Sequence, residues 1–209
     1  MRPLELPVIL PRADGVVLRA FEAGDVAMLR DLATDPYVPL IGSLPAGASE
    51  QQALDFIERQ HSRWTTGVGY SFCVADQADG QAMGTAGLWL KELELGRASV
   101  GYTVAPRSRR RGVGARALRA LTTFGWTLPE LFRIELYVEP WNQGSIRTAE
   151  RVGYQREGLL RSHQTIGGRR VDMLLYAALR PDAQAAASRA APSRASGSLD
   201  LDDAAGSAP

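Results

Sequence analysis

A strand-like stretch runs directly into a glycine-containing loop and then into a helix, and this arrangement constrains the fold more than any other part of the chain. Residues 98–104 have the alternating apolar character of a strand, and Pro106 ends it because proline cannot donate to a β-ladder. The loop Arg109-Arg110-Arg111-Gly112-Val113-Gly114-Ala115 follows, and apolar residues then recur at helical spacing to residue 127. Strands interleaved with helices predict a sheet with helices packed against it.

The loop has the properties of an anion-binding helix start. The first turn of a helix leaves about four backbone N–H groups unpaired and carries a partial positive charge. Gly112 and Gly114 have no side chains, so an anion can approach those N–H groups closely. Charge-assisted hydrogen bonds contribute roughly 1.5–3 kcal/mol each, and about three or four of them would hold a diphosphate.

Other phosphate-binding loops fit this segment poorly. The dinucleotide pattern needs a third glycine where this chain has Ala117, and a Walker loop needs a Gly-Lys-Ser/Thr that does not follow. The arginines at 107 and 109–111 allow three interpretations: a solvated loop, a contact with cofactor phosphates, or a nucleic-acid patch. The last is disfavoured because no aromatic residues alternate with the arginines and the formal net charge is only +1. We therefore expect no nucleic-acid partner.

Length and composition indicate one globular domain. The 209 residues suffice for a single substantial core. No run of about 18 apolar residues occurs, so we expect no membrane-spanning segment and no membrane partner. The start of the chain lacks the long apolar stretch of a secretion signal, and the single cysteine, Cys73, leaves no intrachain disulfide. A cytoplasmic location is the expectation.

The composition changes at Pro181. Residues 182–209 are mostly Ala, Ser, Asp, Gly and Pro, and such a segment cannot bury enough apolar surface to offset its ordering entropy. The sequence therefore predicts a domain over 8–181 and a disordered tail over 182–209. Periodicity, capping residues and turn glycines predict seven strands, near residues 16–21, 70–75, 83–90, 98–104, 133–138, 154–161 and 170–179, and four helices, near 25–32, 50–61, 113–127 and 142–153.

Residue blocks around and beyond the loop resemble a known family. The pattern R-x-x-G-x-G-A, formed by Arg109, Gly112, Gly114 and Ala115, resembles the acyl-CoA loop of the GNAT superfamily of N-acetyltransferases. The downstream blocks R-I-E-L-Y-V, N-x-x-S-I-R, E-R-V-G-Y and R-E-G are similar to the ribosomal-protein alanine/serine N-acetyltransferase branch. The similarity covers about residues 8–180, in the same order and spacing.

The resemblance implies both a fold and a reaction. The fold is α/β, of the mixed α+β kind: a twisted, mostly antiparallel sheet of about seven strands with about four flanking helices, splayed between the fourth and fifth strands. Acetyl-CoA is implied as co-substrate, in the opening between strands 98–104 and 133–138. An amine would attack the thioester directly, and a backbone N–H near Val104 would hydrogen-bond the acyl oxygen as it gains negative charge.

The resemblance also assigns site residues. The implied cofactor-binding set comprises Val104, Arg109, Arg110, Arg111, Gly112, Val113, Gly114, Ala115, Asn142 and Ser145. Ser145 matches the position proposed in this branch to protonate the departing thiolate; the alternative is a first-turn serine that satisfies backbone donors. No metal is expected, because His61 and His163 are too few and too far apart in the chain to indicate a metal site.

The sequence assigns no general base. Many relatives carry a glutamate where this chain has Ser99, and a serine cannot act as a base unaided near neutral pH. Glu92, Glu94 and Glu135 are candidates, although Glu135 also fits a structural role in its strand, and a water relay is the remaining alternative. An N-terminal α-amine, with a pKa near 7.7–8.0, needs less help than a lysine at about 10.4.

Three functional hypotheses remain open. The first is acetylation of a protein N-terminal α-amine. The second keeps the chemistry with another acceptor: a small-molecule amine, an antibiotic or a protein lysine. The third, motivated by Ser99, is a module that binds acyl-CoA without turnover. Trp89 and Trp141 are candidates for the acceptor pocket, His163 for its border and Cys73 for the core. Monomer and homodimer are both open.

Overall fold

The computed structural model describes residues 3–181, which form one mixed sheet with helices on both faces. The strands of this part of the chain are β1 (Arg12–Ala13), β2 (Val16–Arg19), β3 (Gly69–Asp76), β4 (Ala82–Trp89), β5 (Arg97–Val104), β6 (Arg133–Val138), β7 (Gln155–Ile166) and β8 (Arg169–Leu179). Its α-helices are α1 (Val26–Leu32), α2 (Val38–Ile41), α3 (Glu50–Thr65), α4 (Val113–Gly125) and α5 (Gln143–Val152). The predicted tail, 182–209, lies outside the described residues.

The strand order confirms the predicted mixed, mostly antiparallel sheet. The strands lie in the order β1-β2-β3-β4-β5-β6-β8-β7, and each neighbouring pair is antiparallel except β5 with β6. The structure adds an eighth strand, β1, to the predicted set. Its two residues pair with β2 across Asp14 and Gly15, and two residues are too few to show a strand periodicity.

The predicted splay lies between β5 and β6. These strands are paired only from Arg97 opposite Arg133 to Val100 opposite Leu136, so the second half of β5 has no partner on that side. They are the fourth and fifth of the predicted strands, because β1 was not among them. The sheet therefore opens at the carboxyl ends of both strands.

Backbone donors of β5 face this opening. Ala105 N–H donates to the carbonyl of Met83 on the β4 side, at 2.9 Å. Successive residues of a strand direct their N–H groups to opposite sides, so those of Tyr102 and Val104 point toward the opening. Two N–H donors are thus available where the sheet divides.

Two apolar layers hold the helices against the sheet. Helix α4 packs on one face through residues such as Leu118 and Leu121, which are fully buried with Leu18 and Phe72. Helices α1 and α3 pack on the other face, where Cys73 is fully buried, as expected for a core residue. This sandwich fixes the α4 start and the β5–β6 opening relative to each other.

The folded unit begins before the predicted boundary at residue 8. Leu4 N–H donates to the carbonyl of Trp64 at 2.8 Å, and its side chain packs against the main core. Among the described residues, no helix has the length and apolar character needed to cross a membrane.

Candidate active site

The loop between β5 and α4 presents the start of α4 to a groove. A single helical turn at Pro106–Ser108 redirects the chain, and Arg110 and Gly112 then take left-handed conformations, with φ of 59° and 74°. Helix α4 starts at Val113, and Gly112, at the capping position, has no side chain to cover the first-turn N–H groups. These donors therefore stay accessible to an anion.

The two glycines of the loop are needed for different reasons. A Cβ on Gly112 would meet no atom within 4 Å, so the constraint there is the left-handed backbone. A Cβ on Gly114 would lie 2.8 Å from Cε2 of Tyr102, closer than packed atoms can approach. Gly114 thus lets the α4 start lie directly against β5.

A groove of about 560 Å³, which we call the α4–α5 groove, runs along this helix start. Most of the predicted cofactor-binding residues line it: Val104, Arg109, Arg110, Gly112, Val113, Gly114, Ala115, Asn142 and Ser145. The exception is Arg111, which lines a separate cavity together with Arg19 and Asp25. The left-handed turn at Arg110 directs successive side chains to different sides of the loop.

Arg109 is partly engaged by the protein itself. Its Nη2 lies 2.5 Å from Oδ2 of Asp35, and its Nε donates to the carbonyl of Val104 at 3.0 Å. The guanidinium therefore ties the loop to the segment between α1 and α2. Arg110 is exposed on the same groove and forms no ion pair among the described residues.

Helix α5 supplies two further cations that sequence reasoning missed. Arg147 and Arg151 line the groove from the opposite side, together with Gly144 and Thr148. Residues three and four apart share one face of a helix. The Asn142 cap predicts a helix, and the two arginines four residues apart on that helix are the signal that could have identified this wall of the groove. The groove combines helix-start donors with arginines on both walls.

A second, smaller cavity of about 260 Å³, the inner cavity, lies deeper between α2, α3 and the sheet. The indole of Trp89 forms part of its wall. It lies over two glycines, because a Cβ on Gly87 or Gly101 would come within 2.8 Å or 3.2 Å of the ring. Trp89 thus lines the inner cavity. Trp141 instead lines the α4–α5 groove, edge-on to Tyr37 with ring centroids 5.0 Å apart.

The groove and the inner cavity meet at a small polar cluster. Both are lined by Tyr102, Asn142 and Ser145. The Tyr102 hydroxyl and Ser145 Oγ are hydrogen-bonded at 2.9 Å, and Oδ1 of Asn142 accepts from Ser145 N–H at 3.0 Å, which caps α5. Burial raises the pKa of Tyr102, although its hydrogen bond with Ser145 acts in the opposite direction. The phenol therefore keeps its proton near neutral pH.

A buried carboxylate, Glu139, lies beside this junction. It is 7% exposed, follows directly after β6 and lines the inner cavity. The hydroxyl of Tyr37 donates to its Oε2. Burial raises the pKa of Tyr37, and the hydrogen bond to Glu139 raises it further, well above its usual range. The phenol thus remains the donor and Glu139 the acceptor.

Among the described residues that line the inner cavity, Glu139 is the only carboxylate. Sequence reasoning considered other acids and missed this one. The signal that could have found it is its position, one residue past a strand that borders the splay.

The acidic residues that the sequence offered as candidates do not line the α4–α5 groove or the inner cavity. Burial tends to raise the pKa of Glu135, but hydrogen bonds from Arg133 and Tyr137 outweigh it and hold that pKa below its usual range. Glu92 pairs with Arg97 at 3.4 Å on an exposed turn. Ser99 lies opposite Glu135 in the paired part of β5 and β6. None of these residues reaches the junction.

The remaining candidates have local roles. His163 stacks on Tyr137, with ring centroids 5.0 Å apart, but is not itself among the residues that line the inner cavity. His61 hydrogen-bonds to the carbonyl of Phe21 at 3.0 Å. Within residues 3–181, no group of three His, Cys, Asp or Glu residues is placed to hold a metal ion.

Comparison with known proteins agrees with this geometry. Residues 16–155 match the family described as the acetyltransferase (GNAT) domain. Uncharacterized N-acetyltransferase p20 of Bacillus licheniformis is 29% identical over 165 residues, which are 79% of this chain and 93% of the relative.

Two solved structures share the fold. RimJ of Mycobacterium smegmatis in complex with CoA-disulfide superposes with a TM-score of 0.70 at 23% identity, over 80% of this chain and 83% of its own. The ribosomal-protein-S5-alanine acetyltransferase of Vibrio fischeri does so with a TM-score of 0.68 at 16% identity, over 83% and 98%. The chain belongs to the GNAT family and is an acetyl-CoA-dependent N-acetyltransferase.

Proposed function

We propose that this N-acetyltransferase acetylates an N-terminal α-amine, with the acetyl donor in the α4–α5 groove and the acceptor in the inner cavity. The observation that carries the proposal is the meeting of the two spaces at Tyr102, Asn142 and Ser145. One of the similar structures is an acetyltransferase for the alanine of a ribosomal protein, which supports an N-terminal acceptor.

The α4–α5 groove fits the donor. Gly112 and Gly114 leave the first-turn N–H groups of α4 open to the pyrophosphate, and exposed arginines on both walls add positive charge. The N–H groups of Tyr102 and Val104 face the opening between β5 and β6. There they would hydrogen-bond the acyl oxygen as it becomes negative during attack.

Proton transfer is assigned to two separate groups. The amine nitrogen forms a bond to the acetyl carbon, and the carbon–sulfur bond breaks. Glu139 accepts the proton that the amine loses, and Ser145, hydrogen-bonded to Tyr102, delivers a proton to the departing thiolate while it takes one from solvent. This pathway needs no carboxylate at position 99.

A small-molecule amine is the second candidate acceptor. The inner cavity, at about 260 Å³, is below the usual range of roughly 300–1,000 Å³ for ligand pockets. It therefore admits a small acceptor or only the first residues of a peptide.

A thiol-release assay with acetyl-CoA decides between these acceptors. N-terminal peptides, peptides acetylated at the α-amine but carrying lysine, and small amines are compared at equal concentration. Release with free N-terminal peptides above the other two groups supports the proposal. Release only with small amines favours the second candidate, and no release with any amine would mean that the chain binds the donor without turnover.

Replacement of Ser145 tests the proton donor. Ser145→Ala is expected to lower kcat by about tenfold or more while the Kd for acetyl-CoA changes little, because the hydroxyl acts on the thiolate only as it departs. Ser145→Thr keeps a hydroxyl at the same position and should retain most of the turnover. Equal kcat for wild type and Ser145→Ala would assign thiolate protonation to another group.

A further inference from the structure

Arg63 is a half-buried cation that pairs with no acidic side chain in the part of the chain that the structure describes. It lies near the end of α3 and lines the inner cavity. Burial lowers the pKa of Arg63, and the neighbouring Arg59 lowers it further. A guanidinium removed from water in this way is stabilised by an anion that enters the cavity.

The Arg63 guanidinium is held over the cavity wall. Its central carbon lies 5.9 Å from the centroid of the Trp89 ring. The same ring covers Gly87 and Gly101, so Arg63 is anchored above the strands that lead to the reaction centre. Stacking on an aromatic face leaves the edge of the guanidinium, with its planar donor fork, available to a carboxylate.

The two ends of the inner cavity differ in charge. Glu139 lies at the end shared with Ser145 and suits an ammonium group. Arg63 lies beside Trp89, and neither of these residues lines the α4–α5 groove. Thr103, which lines both the groove and the inner cavity, follows Gly101 by two residues, roughly 7 Å along the strand. One or two residues of an extended peptide span that separation.

We propose that the acceptor carries a carboxylate within two residues of the reacting amine, and that Arg63 binds this carboxylate above Trp89. The inference rests on the proposed function and specifies its acceptor. The carboxylate comes either from an acidic side chain near a peptide N-terminus or from the terminal carboxylate of a small amino compound. Polycationic amines fit this cavity poorly, because Arg63 would repel them.

Charge-matched acceptors test the proposal directly. The peptides Ala-Glu-Ala and Ala-Gln-Ala, both amidated at the carboxyl end, differ in one negative charge. Wild type is expected to acetylate the glutamate peptide with the higher kcat/KM. A further comparison, of the free dipeptide Ala-Ala with its amide, shows whether a terminal carboxylate is preferred in the same way as an acidic side chain.

Arg63→Gln should remove the preference. We expect its kcat/KM for the glutamate peptide to fall about 10- to 100-fold, chiefly through KM, while that for the glutamine peptide stays close to wild type. Arg63→Lys keeps the charge and should restore part of the loss. Arg30→Gln, which removes an exposed arginine of α1 outside the cavity, is the control for net charge. It should leave kcat/KM unchanged for both the glutamate and the glutamine peptide.

The outcomes separate this inference from the proposed function. Equal rates for the charged and neutral acceptors in wild type, or a preference that survives in Arg63→Gln, would overturn the role of Arg63 and leave N-terminal acetylation standing. Absence of thiol release with every peptide and amine would overturn the proposed function itself, and the inference with it.

Discussion

Replacement of Gly114 with valine is expected to weaken acetyl-CoA binding by about 10- to 100-fold, equivalent to the loss of about one charge-assisted hydrogen bond. A Cβ at this position would lie 2.8 Å from the Tyr102 ring, so either α4 or Tyr102 must move. Movement of α4 displaces the N–H donors of its first turn from the pyrophosphate, and movement of Tyr102 changes the shape of the groove that this residue lines. Isothermal titration with acetyl-CoA measures the effect.

The matched control for this variant is Gly24→Ala. Gly24 has no positive φ, a methyl group on its Cα would meet no atom within 4 Å, and it lies outside the α4–α5 groove. The affinity of this control for acetyl-CoA should equal that of wild type. Wild-type affinity in Gly114→Val, with the fold retained by circular dichroism, would show that the phosphates bind elsewhere.

Glu139→Gln is expected to lower kcat/KM about 100-fold at pH 7, within the range of general acid–base catalysis. The amide still accepts the hydrogen bond from Tyr37 and keeps the shape of the cavity, but it cannot take a proton from the amine. Turnover by the variant then depends on the fraction of the acceptor amine that is already unprotonated. Initial rates with an N-terminal peptide measure the loss.

The pH dependence separates a base from a structural group. An α-amine has a pKa near 7.7–8.0, so its neutral fraction rises steeply between about pH 6 and 8 and saturates above about pH 9. The defect of Glu139→Gln should therefore be largest at low pH and shrink as the pH rises. Glu150→Gln, which alters another tyrosine-bonded carboxylate, outside both spaces, is the control. A defect of equal size at all pH values would contradict the base assignment.

Local sequence signals predicted most of the fold. The Ser49 and Asn142 caps, the glycine turns and the apolar spacing of α4 each depend on neighbours in the chain, and the structure contains each of them. The additional strand β1 has only two residues and exists because β2 lies beside it. Such a strand is defined by its partner and leaves no periodic signal.

The lining of the α4–α5 groove was more predictable from the sequence than the lining of the inner cavity. The α4 loop is a continuous segment, and only Arg111 among its predicted residues faces another cavity. The inner cavity instead combines Arg63 from α3, Trp89 from β4 and Glu139 from the end of β6. Residues so distant in sequence are brought together only by the sheet order and the splay.

The central claim is that acetyl passes from acetyl-CoA to the α-amine of an acceptor bound beside Glu139 and Ser145. The most direct measurement uses acetyl-CoA labelled in the acetyl group with the peptide Ala-Glu-Ala amide, followed by tandem mass spectrometry and thiol quantification. The account predicts one labelled acetyl on the α-nitrogen for each thiol released. Thiol release without labelled peptide, or donor binding without thiol release, would contradict it.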